Sequence, residues 1–345
     1  MKVGLVLDGL RPAGEVAELA RQAEDAGLAQ FWLSSGARTK DHFLRLAVAA
    51  GRTRRIQLGA VAVSPFEAHP ARLAVTLLTL HEIAGGRAAV AVGGGGDFAA
   101  TLGVSLRRRV EAVAETLEII RAVARGGRVN HRGALFQVRD FFSPWTAVPP
   151  PPLYVAANRP RMIRAAAAAA DGVMFTDMPP GVVADLVGRL RAHLAEAGRP
   201  AGDFRVSNWF VWNVQDTAAE ALALARRRLG FRLYYVRDVG AALGLTEREV
   251  AELDARQAEM RRAVLEGREP WLPQPALADR LVGALTLSGG LADLDAVIER
   301  LQEFERAGLT EIALAPHGDP ARAIRLLGER VVPALTRRPG VSGAH

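Results

Sequence analysis

The stretch IQLGAVAVSPFEAHPARLAVTLLTLHEIAGGRAAVAVGGGGD, residues 56–97, places one apolar helical segment between two short runs of strand-forming residues. The first run, Ile56 to Val63, is apolar and β-branched, as in a buried strand. Ser64-Pro65 ends it, because proline has no amide to give to a sheet. We expect the helix to cover residues 71 to about 81 and to stop at Gly85-Gly86.

The second run, Ala88 to Val92, leads directly into Gly93-Gly94-Gly95-Gly96-Asp97. A glycine run of this length fits either a tight turn or a backbone held close to a flat ligand. The whole stretch predicts a strand–helix–strand unit of a parallel α/β fold. Ligands of such folds bind where the strands end, so the breaks after Val63 and Val92 mark a candidate site.

The alternation of strand and helix patterns continues through the chain. Residues 24–33 resemble residues 305–314, each a helix end, a glycine and a strand, and eight such units are typical of a (β/α)8 barrel. A doubly wound sheet is the competing architecture, but the glycines after Val92 do not form its G-x-G-x-x-G fingerprint. We therefore predict an α/β fold, a (β/α)8 TIM barrel with an insertion late in the chain. The predicted strands are Val3–Leu7, Phe31–Leu33, Ile56–Val63, Ala88–Val92, Leu153–Ala156, Val173–Phe175, Phe204–Val214 and Ile312–Leu314.

We expect residues 1–345 to form a single TIM-barrel domain with two insertions. Residues about 126–146 place turn formers between β formers, which predicts a hairpin. Residues about 231–275 are the least repetitive part of the chain and include a helix near residues 247–266. Because long insertions in barrels collect at the face where the strands end, this segment is expected to cover the mouth of the barrel.

Composition excludes several classes of protein. Cysteine is absent, so there is no disulfide framework and no thiolate nucleophile or metal ligand. No apolar run approaches the ~18 residues of a membrane span. The first apolar run is too short, and a charged residue follows it too soon, for a signal peptide. We therefore expect a soluble cytoplasmic protein. The net charge of +7 rests on arginines spread along the chain, with Lys2 and Lys40 as its lysines. We therefore expect a small-molecule partner, with an anionic one favoured, and neither nucleic acid nor membrane.

Polar residues follow several of the predicted strands, and a barrel would bring them to one face. Each alone is typical of a cap or a turn, so their shared position is what indicates a site. His69, which precedes a proline at a helix start, fits a backbone-bonded cap and a cofactor contact equally well. The seven histidines are scattered, so no metal site is expected. The strand-end residues are Asp8, Ser34, Ser35, Ser64, Asp97, Asn158, Thr176 and Asp177.

A set of short motifs follows one order along nearly the whole chain. They are Ala23–Gly27 with Trp32, Ile56–Gly59, His69–Ala71, Gly85–Arg87, Gly93–Asp97, Glu115–Arg121, Pro152–Val155, Ala170–Val173 and Ile324–Leu335. No single motif is decisive. Together, in this order, they resemble the luciferase-like monooxygenase superfamily, and most closely its branch of coenzyme F420-dependent methylene-tetrahydromethanopterin reductases.

That resemblance implies a TIM barrel that binds F420, or alternatively flavin mononucleotide (FMN), at the carboxyl ends of its strands. The ring would lie against a bulge from Val61 to Ser64, where the family often holds a cis peptide, by position Val61-Ala62. The phosphate tail would meet the loops 93–97 and 158–162, in which Arg159 and Arg161 are either phosphate ligands or surface residues. The implied cofactor-binding residues are Ser34, Val61, Ala62, Val63, Ser64, Gly93, Gly94, Gly95, Gly96, Asp97, Ala157, Asn158, Arg159, Arg161, Met162 and Thr176.

The chain departs from the family pattern where acid–base residues are expected. The family commonly has an acidic residue and a histidine after its second strand, where this chain has Ser35 and Gly36. A glutamate often found in the first strand is replaced by Val6, with Asp8 two residues on and on the same strand face. The catalytic group is therefore unassigned, and the candidates are Asp8, Ser35 and His69.

We expect an F420-dependent reductase that transfers a hydride between the deazaflavin and a small-molecule or peptide-like substrate with an activated C=C or C=N bond. The cofactor carries the chemistry in such an enzyme, so the protein has to bind, orient and exclude water. One alternative is an FMN-dependent monooxygenase fed by a separate flavin reductase. The other is a flavin-binding barrel that has lost catalysis. We further expect a homodimer.

Overall fold

The computed structural model describes residues 1–36 and 39–336, apart from the side chains of Asp97 and Ala100. Within these ranges the chain forms eleven strands and fourteen α-helices. The strands are β1 (Lys2–Leu7), β2 (Gln30–Ser34), β3 (Gln57–Val63), β4 (Ala88–Val92), β5 (Gly127–Arg132), β6 (Gln137–Ser143), β7 (Leu153–Ala156), β8 (Gly172–Thr176), β9 (Arg205–Gln215), β10 (Thr286–Gly290) and β11 (Glu311–Pro316).

The helices alternate with the strands over most of the chain. They are α1 (Ala13–Asp25), α2 (His42–Ala50), α3 (Pro70–Ile83), α4 (Asp97–Thr101), α5 (Arg109–Ala124), α6 (Pro160–Ala169), α7 (Pro180–Glu196), α8 (Ala218–Arg227), α9 (Val236–Val239), α10 (Glu247–Leu265), α11 (Pro275–Leu285), α12 (Leu294–Arg306), α13 (Pro320–Leu326) and α14 (Val332–Thr336). Short 3₁₀ turns cover Leu229–Phe231, Leu233–Tyr235 and Leu291–Asp293, and a π-helical turn covers Leu327–Val331. None of the helices in the described ranges has the length and apolar character that a bilayer crossing requires.

Eight parallel strands close into a barrel in the order β1-β2-β3-β4-β7-β8-β9-β11, and β11 returns to β1. The contact between β8 and β9 runs from the pair Gly172–Arg205 to the pair Thr176–Trp209. These eight strands are the ones that the sequence predicts, so the TIM-barrel prediction is confirmed. Their common direction brings all eight carboxyl ends to one face.

The strand β10 was missed by the sequence prediction. β9 is eleven residues long, and its residues 205–209 pair with β8 whereas its residues 211–215 pair with β10. β11 holds the opposite edge over residues 209–212. The sequence of β10, Thr-Leu-Ser-Gly-Gly, has none of the β-branched apolar run that marked the other strands, and this is why its pattern went unrecognised.

The barrel interior is lined by every second strand residue, as the alternation of side chains in a strand requires. Trp32 and Tyr154 meet edge to face there, with ring centroids 5.4 Å apart, and fill much of the space. The intervening residues, such as Phe31 and Phe210, face the helices and join the larger core. The buried interior residues are Val6, Trp32, Val61, Ala89, Ala91, Tyr154, Met174 and Ala313.

Hydrogen-bonded polar side chains close the amino-terminal end of the barrel. The Gln30 amide donates to Glu311 Oε2 over 2.9 Å, and the Tyr154 hydroxyl donates to the same oxygen over 2.8 Å. Arg205 donates to Gln57 Oε1 over 2.9 Å. Since these side chains fill this end and bond one another, with the Gln57 amide nitrogen left unpaired, the carboxyl end is left for a ligand.

The segment between β9 and β10 carries its own small apolar core. Its helix α10 begins at a capping box, in which the Thr246 side chain accepts from the Glu249 amide and the Glu249 carboxylate accepts from the Thr246 amide. The segment extends beyond the expected residues 231–275, because its core runs from Ala225 to Leu285. The buried members include Leu229, Leu233, Leu253, Met260 and Leu281. We call residues 218–285 the β9–β10 insertion.

A hairpin of β5 and β6 lies where the sequence predicts one. The carboxylate of Glu115 on α5 accepts hydrogen bonds from the amides of Ala134, Leu135 and Phe136, over 2.8 to 3.2 Å. This cluster of amides fixes the tip of the hairpin to the outer helix layer. At the other end of the described chain, the π-helical turn Leu327–Val331 separates α13 from α14.

Candidate active site at the carboxyl ends of the strands

The mouth of the barrel has a floor of small side chains. Ala62, Ala156 and Ala315 continue the inward-facing rows of β3, β7 and β11, and all three are partly exposed. Trp209 reaches the same level from β9, and its Nε1 is buried without a hydrogen-bond partner in the described chain. The floor is thus apolar, open and bordered by one aromatic ring.

The edge of this floor is an irregular backbone at the end of β3. The peptide bond Val61–Ala62 is cis, as the family resemblance implied, and the pairing of β3 with β4 shifts register between Val61 and Val63. The amide of Ser35 donates to the Val61 carbonyl over 2.7 Å. Ser64 Oγ accepts from the Phe66 amide over 3.2 Å and is therefore a turn residue. The expected bulge from Val61 to Ser64 is confirmed.

The glycine run after β4 packs against that bulge. A Cβ on Gly93 would lie 3.0 Å from Ala62 Cβ and 3.7 Å from Ala156 Cβ, so this glycine leaves the floor clear. Gly95 has a φ of +83°, which favours glycine, and a Cβ there would lie 3.2 Å from Ser64 Oγ. Gly96 is exposed, and a Cβ there would meet nothing within 4 Å. The side chain of Asp97 lies outside the described residues, and its backbone begins α4.

The residues after β7 hold the barrel edge as well as facing the mouth. Asn158 donates to the Thr176 carbonyl over 3.0 Å and accepts from the Thr176 amide over 2.9 Å, which ties the end of β7 to the end of β8. Ala157 is buried and donates to the Met174 carbonyl over 3.1 Å. Met162 lies beside the glycine run, with its Cε 3.3 Å from the position of a Cβ on Gly94.

Two arginines flank the start of α6, as the sequence indicated, but one of them is already paired. Arg159 bonds the Asp238 carboxylate over 3.2 to 3.3 Å, and Asp238 belongs to α9 of the β9–β10 insertion. Arg161 is 81% exposed and lies 3.9 Å from Glu111. The structure therefore gives Arg159 a protein partner that the sequence did not reveal.

The three candidate catalytic residues occupy different settings. Asp8 follows β1 and is exposed at the mouth, and Ser35 follows β2 and is half-buried, with Ser34 buried before it. His69 caps α3: its Nδ1 accepts from the Ala71 amide over 3.2 Å, and its ring meets Phe136 of the hairpin at 5.6 Å between centroids. Of the two interpretations left open for His69, the geometry favours the cap.

A charged group lies on the same face: the strand-end residue Asp177, which the sequence indicated, and arginines of the insertion, which it did not. Asp177, directly after β8, accepts a hydrogen bond from Arg232 of the insertion over 2.7 Å. Burial raises the pKa of Asp177 to about 6, although the positive charge of Arg232 opposes this rise. The insertion therefore contacts the carboxyl face through Asp177 as well as through Arg159, and the prediction that it lies at the mouth is confirmed.

His317 and Arg228 complete this group. His317, one residue after β11, is 7% exposed, and burial together with Arg228 and Arg232 holds its pKa well below the usual value. The ring is therefore neutral at pH 7. Burial, and then the charge of Arg232, lower the pKa of Arg228, with Asp8 acting in the opposite direction. The sequence analysis did not select Arg228, because nothing in the sequence distinguishes the arginines at 226–228 from the other arginines of the chain.

Comparison with known proteins gives this geometry a context. The sequence profile described as Luciferase-like monooxygenase matches residues 3–311. A 5,10-methylenetetrahydromethanopterin reductase of Archaeoglobus fulgidus is 27% identical over 330 residues, which cover 93% of this chain and 96% of that protein.

Two solved structures share the fold over nearly their whole length. The coenzyme F420 dependent tetrahydromethanopterin reductase from Methanopyrus kandleri matches with a TM-score of 0.82 at 22% identity, covering 96% of this chain and 99% of that one. The oxygenating constituent of 3,6-diketocamphane monooxygenase of Pseudomonas putida, in complex with FMN, matches with a TM-score of 0.68 at 20% identity, covering 96% and 98%. At these identities the two structures support the barrel fold alone.

Proposed function

The chain belongs to the luciferase-like monooxygenase family of enzymes, and from that premise we propose that it is an F420-dependent oxidoreductase. Its reaction is hydride transfer between the deazaflavin and a small-molecule or peptide-like substrate with an activated C=C or C=N bond. Support comes from the reductase of Archaeoglobus fulgidus, similar over 93% of this chain, and from the F420 dependent reductase that shares its fold.

The floor of the barrel mouth is the observation that carries the proposal. A flat tricyclic ring needs an open apolar surface, and Ala62, Ala156 and Ala315 leave one where longer side chains would fill it. Gly93 keeps the same surface clear from the side of β4. The ring of F420 would bind on this floor, and the residues around the cis peptide Val61–Ala62 would border it.

The loops on the β4 and β7 side suit the anionic tail of the cofactor. Gly96 is exposed and has no Cβ to cover its amide, and the amino terminus of α6 lies at the carboxyl end of β7. Arg159 and Arg161 add positive charge beside that helix start. The phosphate of F420 would bind between these two loops.

Bound F420 supplies the hydride at C5 of its ring, and the protein supplies binding, orientation and the exclusion of water. The β9–β10 insertion is placed to hold a substrate against the floor, because its Arg232 and Asp238 contact the ends of β8 and β7. Asp8 and Ser35 are the polar side chains on this face that could exchange a proton with the substrate. The homodimer stays a prediction.

An FMN-dependent monooxygenase is the second candidate, because an FMN-binding oxygenating constituent shares the fold. Titration of the purified protein with F420 and with FMN, followed by the fluorescence of each cofactor, separates the two. We expect F420 to bind at least about tenfold more tightly than FMN, a difference of about 1.4 kcal/mol. Binding of FMN alone would contradict the proposal, and F420 binding without hydride transfer to any acceptor would favour a barrel that has lost catalysis.

A further inference from the structure

Arg228 is a cation without a hydrogen-bond partner in the described chain. Its Nε is buried, and no described residue accepts a hydrogen bond from the guanidinium or places a carboxylate within 4 Å of it. Its closest aromatic contact is the ring of Phe231, 5.5 Å from the guanidinium carbon, which engages the face of the group and not its N–H bonds. A half-buried guanidinium in this state has N–H donors that no acceptor satisfies.

Two more donors without partners lie around it. Arg232 gives its Nη1 to Asp177, but its Nε is buried and unpaired among the described residues. Nδ1 of His317 is likewise buried and unpaired there, in a side chain that is 7% exposed, and it donates in the neutral tautomer that carries the proton on Nδ1. Arg228 and Arg232 belong to the insertion that follows β9, Arg232 reaches the end of β8, and His317 follows β11. Since β8 and β11 both pair with β9, the three side chains lie on one sector of the carboxyl face.

The charges of this group do not balance. Asp177 is engaged by Arg232, so it does not neutralise Arg228. Asp8 affects the ionisation of Arg228 but forms no ion pair with it within 4 Å. One positive charge therefore remains, surrounded by donors and poor in acceptors. An oxyanion, such as a carboxylate or phosphate, satisfies such a set, because a guanidinium fork bonds two of its oxygens at once.

The group lies at the ends of other strands than the loops proposed to bind the cofactor tail. His317 follows β11 and Asp177 follows β8, and Arg228 and Arg232 come from the insertion above them. The loops suited to the tail follow β4 and β7, so the two anion sites occupy successive sectors of the rim, which meet between the neighbouring strands β7 and β8. Ala315 and Thr176, which border the floor, are two residues and one residue away from His317 and Asp177.

We propose that Arg228, together with Nε of Arg232 and Nδ1 of His317, binds an oxyanion group of the substrate, a carboxylate or a phosphate. Only the identification of the ligand as the substrate rests on the proposed function; the oxyanion site itself does not. F420 also carries oxyanions, so the same chemistry has a second source, and the test has to distinguish the two.

The test measures binding of inorganic phosphate by calorimetry at constant ionic strength, to the protein alone and to the protein saturated with F420. Arg228→Gln removes the charge and the fork, and Arg228→Lys keeps only the charge. Arg227→Gln is the matched control, because Arg227 is the preceding residue and lies 3.1 Å from Glu269 on the outer surface. Circular dichroism and the thermal midpoint verify that each variant folds.

We expect Arg228→Gln to weaken phosphate binding by about tenfold or more, Arg228→Lys by less, and Arg227→Gln by less than about twofold. The affinity for F420 should stay within about twofold in all three variants, and saturation with F420 should leave phosphate binding intact. Equal effects of Arg227→Gln and Arg228→Gln, or no phosphate binding by the parent, would overturn the oxyanion site.

The two sources of the oxyanion, substrate and F420, give opposite results when phosphate binding is measured on the protein saturated with F420. If F420 displaces phosphate and Arg228→Gln weakens F420 binding in parallel, the group holds the tail of the cofactor and the substrate assignment is overturned. If phosphate binding depends on Arg228 while neither F420 nor FMN binds, the oxyanion site stands and the proposed function fails. The two proposals are therefore tested separately.

Discussion

Arg232 donates a hydrogen bond to Asp177 over 2.7 Å, and this contact joins the β9–β10 insertion to the end of β8. The side chains are 14% and 3% exposed, so the pair is almost dehydrated. In such a setting the loss of one partner matters more than the net stability of the pair, because the remaining charge is left without compensation.

Arg232→Met should therefore destabilise the protein, by about 3 kcal/mol at pH 8. The loss should be smaller at pH 5, because Asp177 then takes up a proton and no buried charge remains. Urea unfolding at the two pH values measures the difference. The double variant Asp177→Asn/Arg232→Met serves as the control and should show little of this pH dependence; an equal loss at both pH values would contradict the ion-pair interpretation.

The carboxyl of Asp177 also predicts how stability changes with pH in the parent protein. Its folded pKa is raised to about 6 from the ordinary 3.8, so between these values the folded state binds a proton that the unfolded state does not. Its contribution to the free energy of unfolding is therefore complete below about pH 4 and is lost as the pH rises through about 6.

Asp177→Asn should flatten the stability profile in that window, since an amide does not titrate. Burial raises the pKa of Tyr235 to about 12, outside this window. The lowered pKa of His317 gives a pH dependence of the opposite sign, but His317 is present in both proteins, so the difference between the two profiles isolates Asp177. Denaturant midpoints from pH 4 to pH 7 provide the measurement. A fall of the same size in the variant would assign the pH dependence to other groups.

Gly93→Ala should weaken F420 binding by about tenfold or more without unfolding the protein. The new methyl group would lie 3.0 Å from Ala62 Cβ, and it would occupy the floor on which the ring is proposed to lie. Fluorescence titration gives the dissociation constant. Gly188→Ala is the matched control, since Gly188 is exposed on α7 and an added Cβ meets nothing within 4 Å. Similar affinities in both variants would place the ring elsewhere.

Asp238→Asn should strengthen F420 binding by a few-fold at low salt, because it frees Arg159 for the phosphate. The gain should fall as salt is added, since screening weakens a contact between exposed charges. The same substitution in an Arg159→Gln background should have no effect, which makes the pair a double-mutant cycle. If Asp238→Asn changes nothing at low salt, the phosphate binds at the 93–97 loop without Arg159.

The barrel was predictable because its strands and helices are each marked by residues that are close together in the sequence. Most of its strands are short buried apolar runs, and the ends of β3 and β4 are marked by proline and glycine. A helix stripe follows most of them. The bulge at Val61–Ala62 was placed by the family resemblance, since nothing in the residues themselves requires a cis bond.

The charged part of the site was not predictable for a physical reason. Arg228 and His317 are distant in the chain, and they lie on the same face only because β11 pairs with β9, whose carboxyl end leads into the insertion. The pairing of Arg159 with Asp238 depends on the same arrangement. Periodicity and local motifs describe single elements, so contacts between the loops of different elements leave no trace in them.

The closure of the barrel by β8, β9 and β11 leaves β10 outside the ring of eight strands. The β9–β10 insertion can therefore change in length and sequence while the ring of eight strands stays closed. This insertion contributes Arg228, Arg232 and Asp238. Exchange of this segment between related barrels should transfer the choice of substrate and leave the hydride donor in its place. The fold thus separates the part that keeps a chemistry from the part that diversifies it.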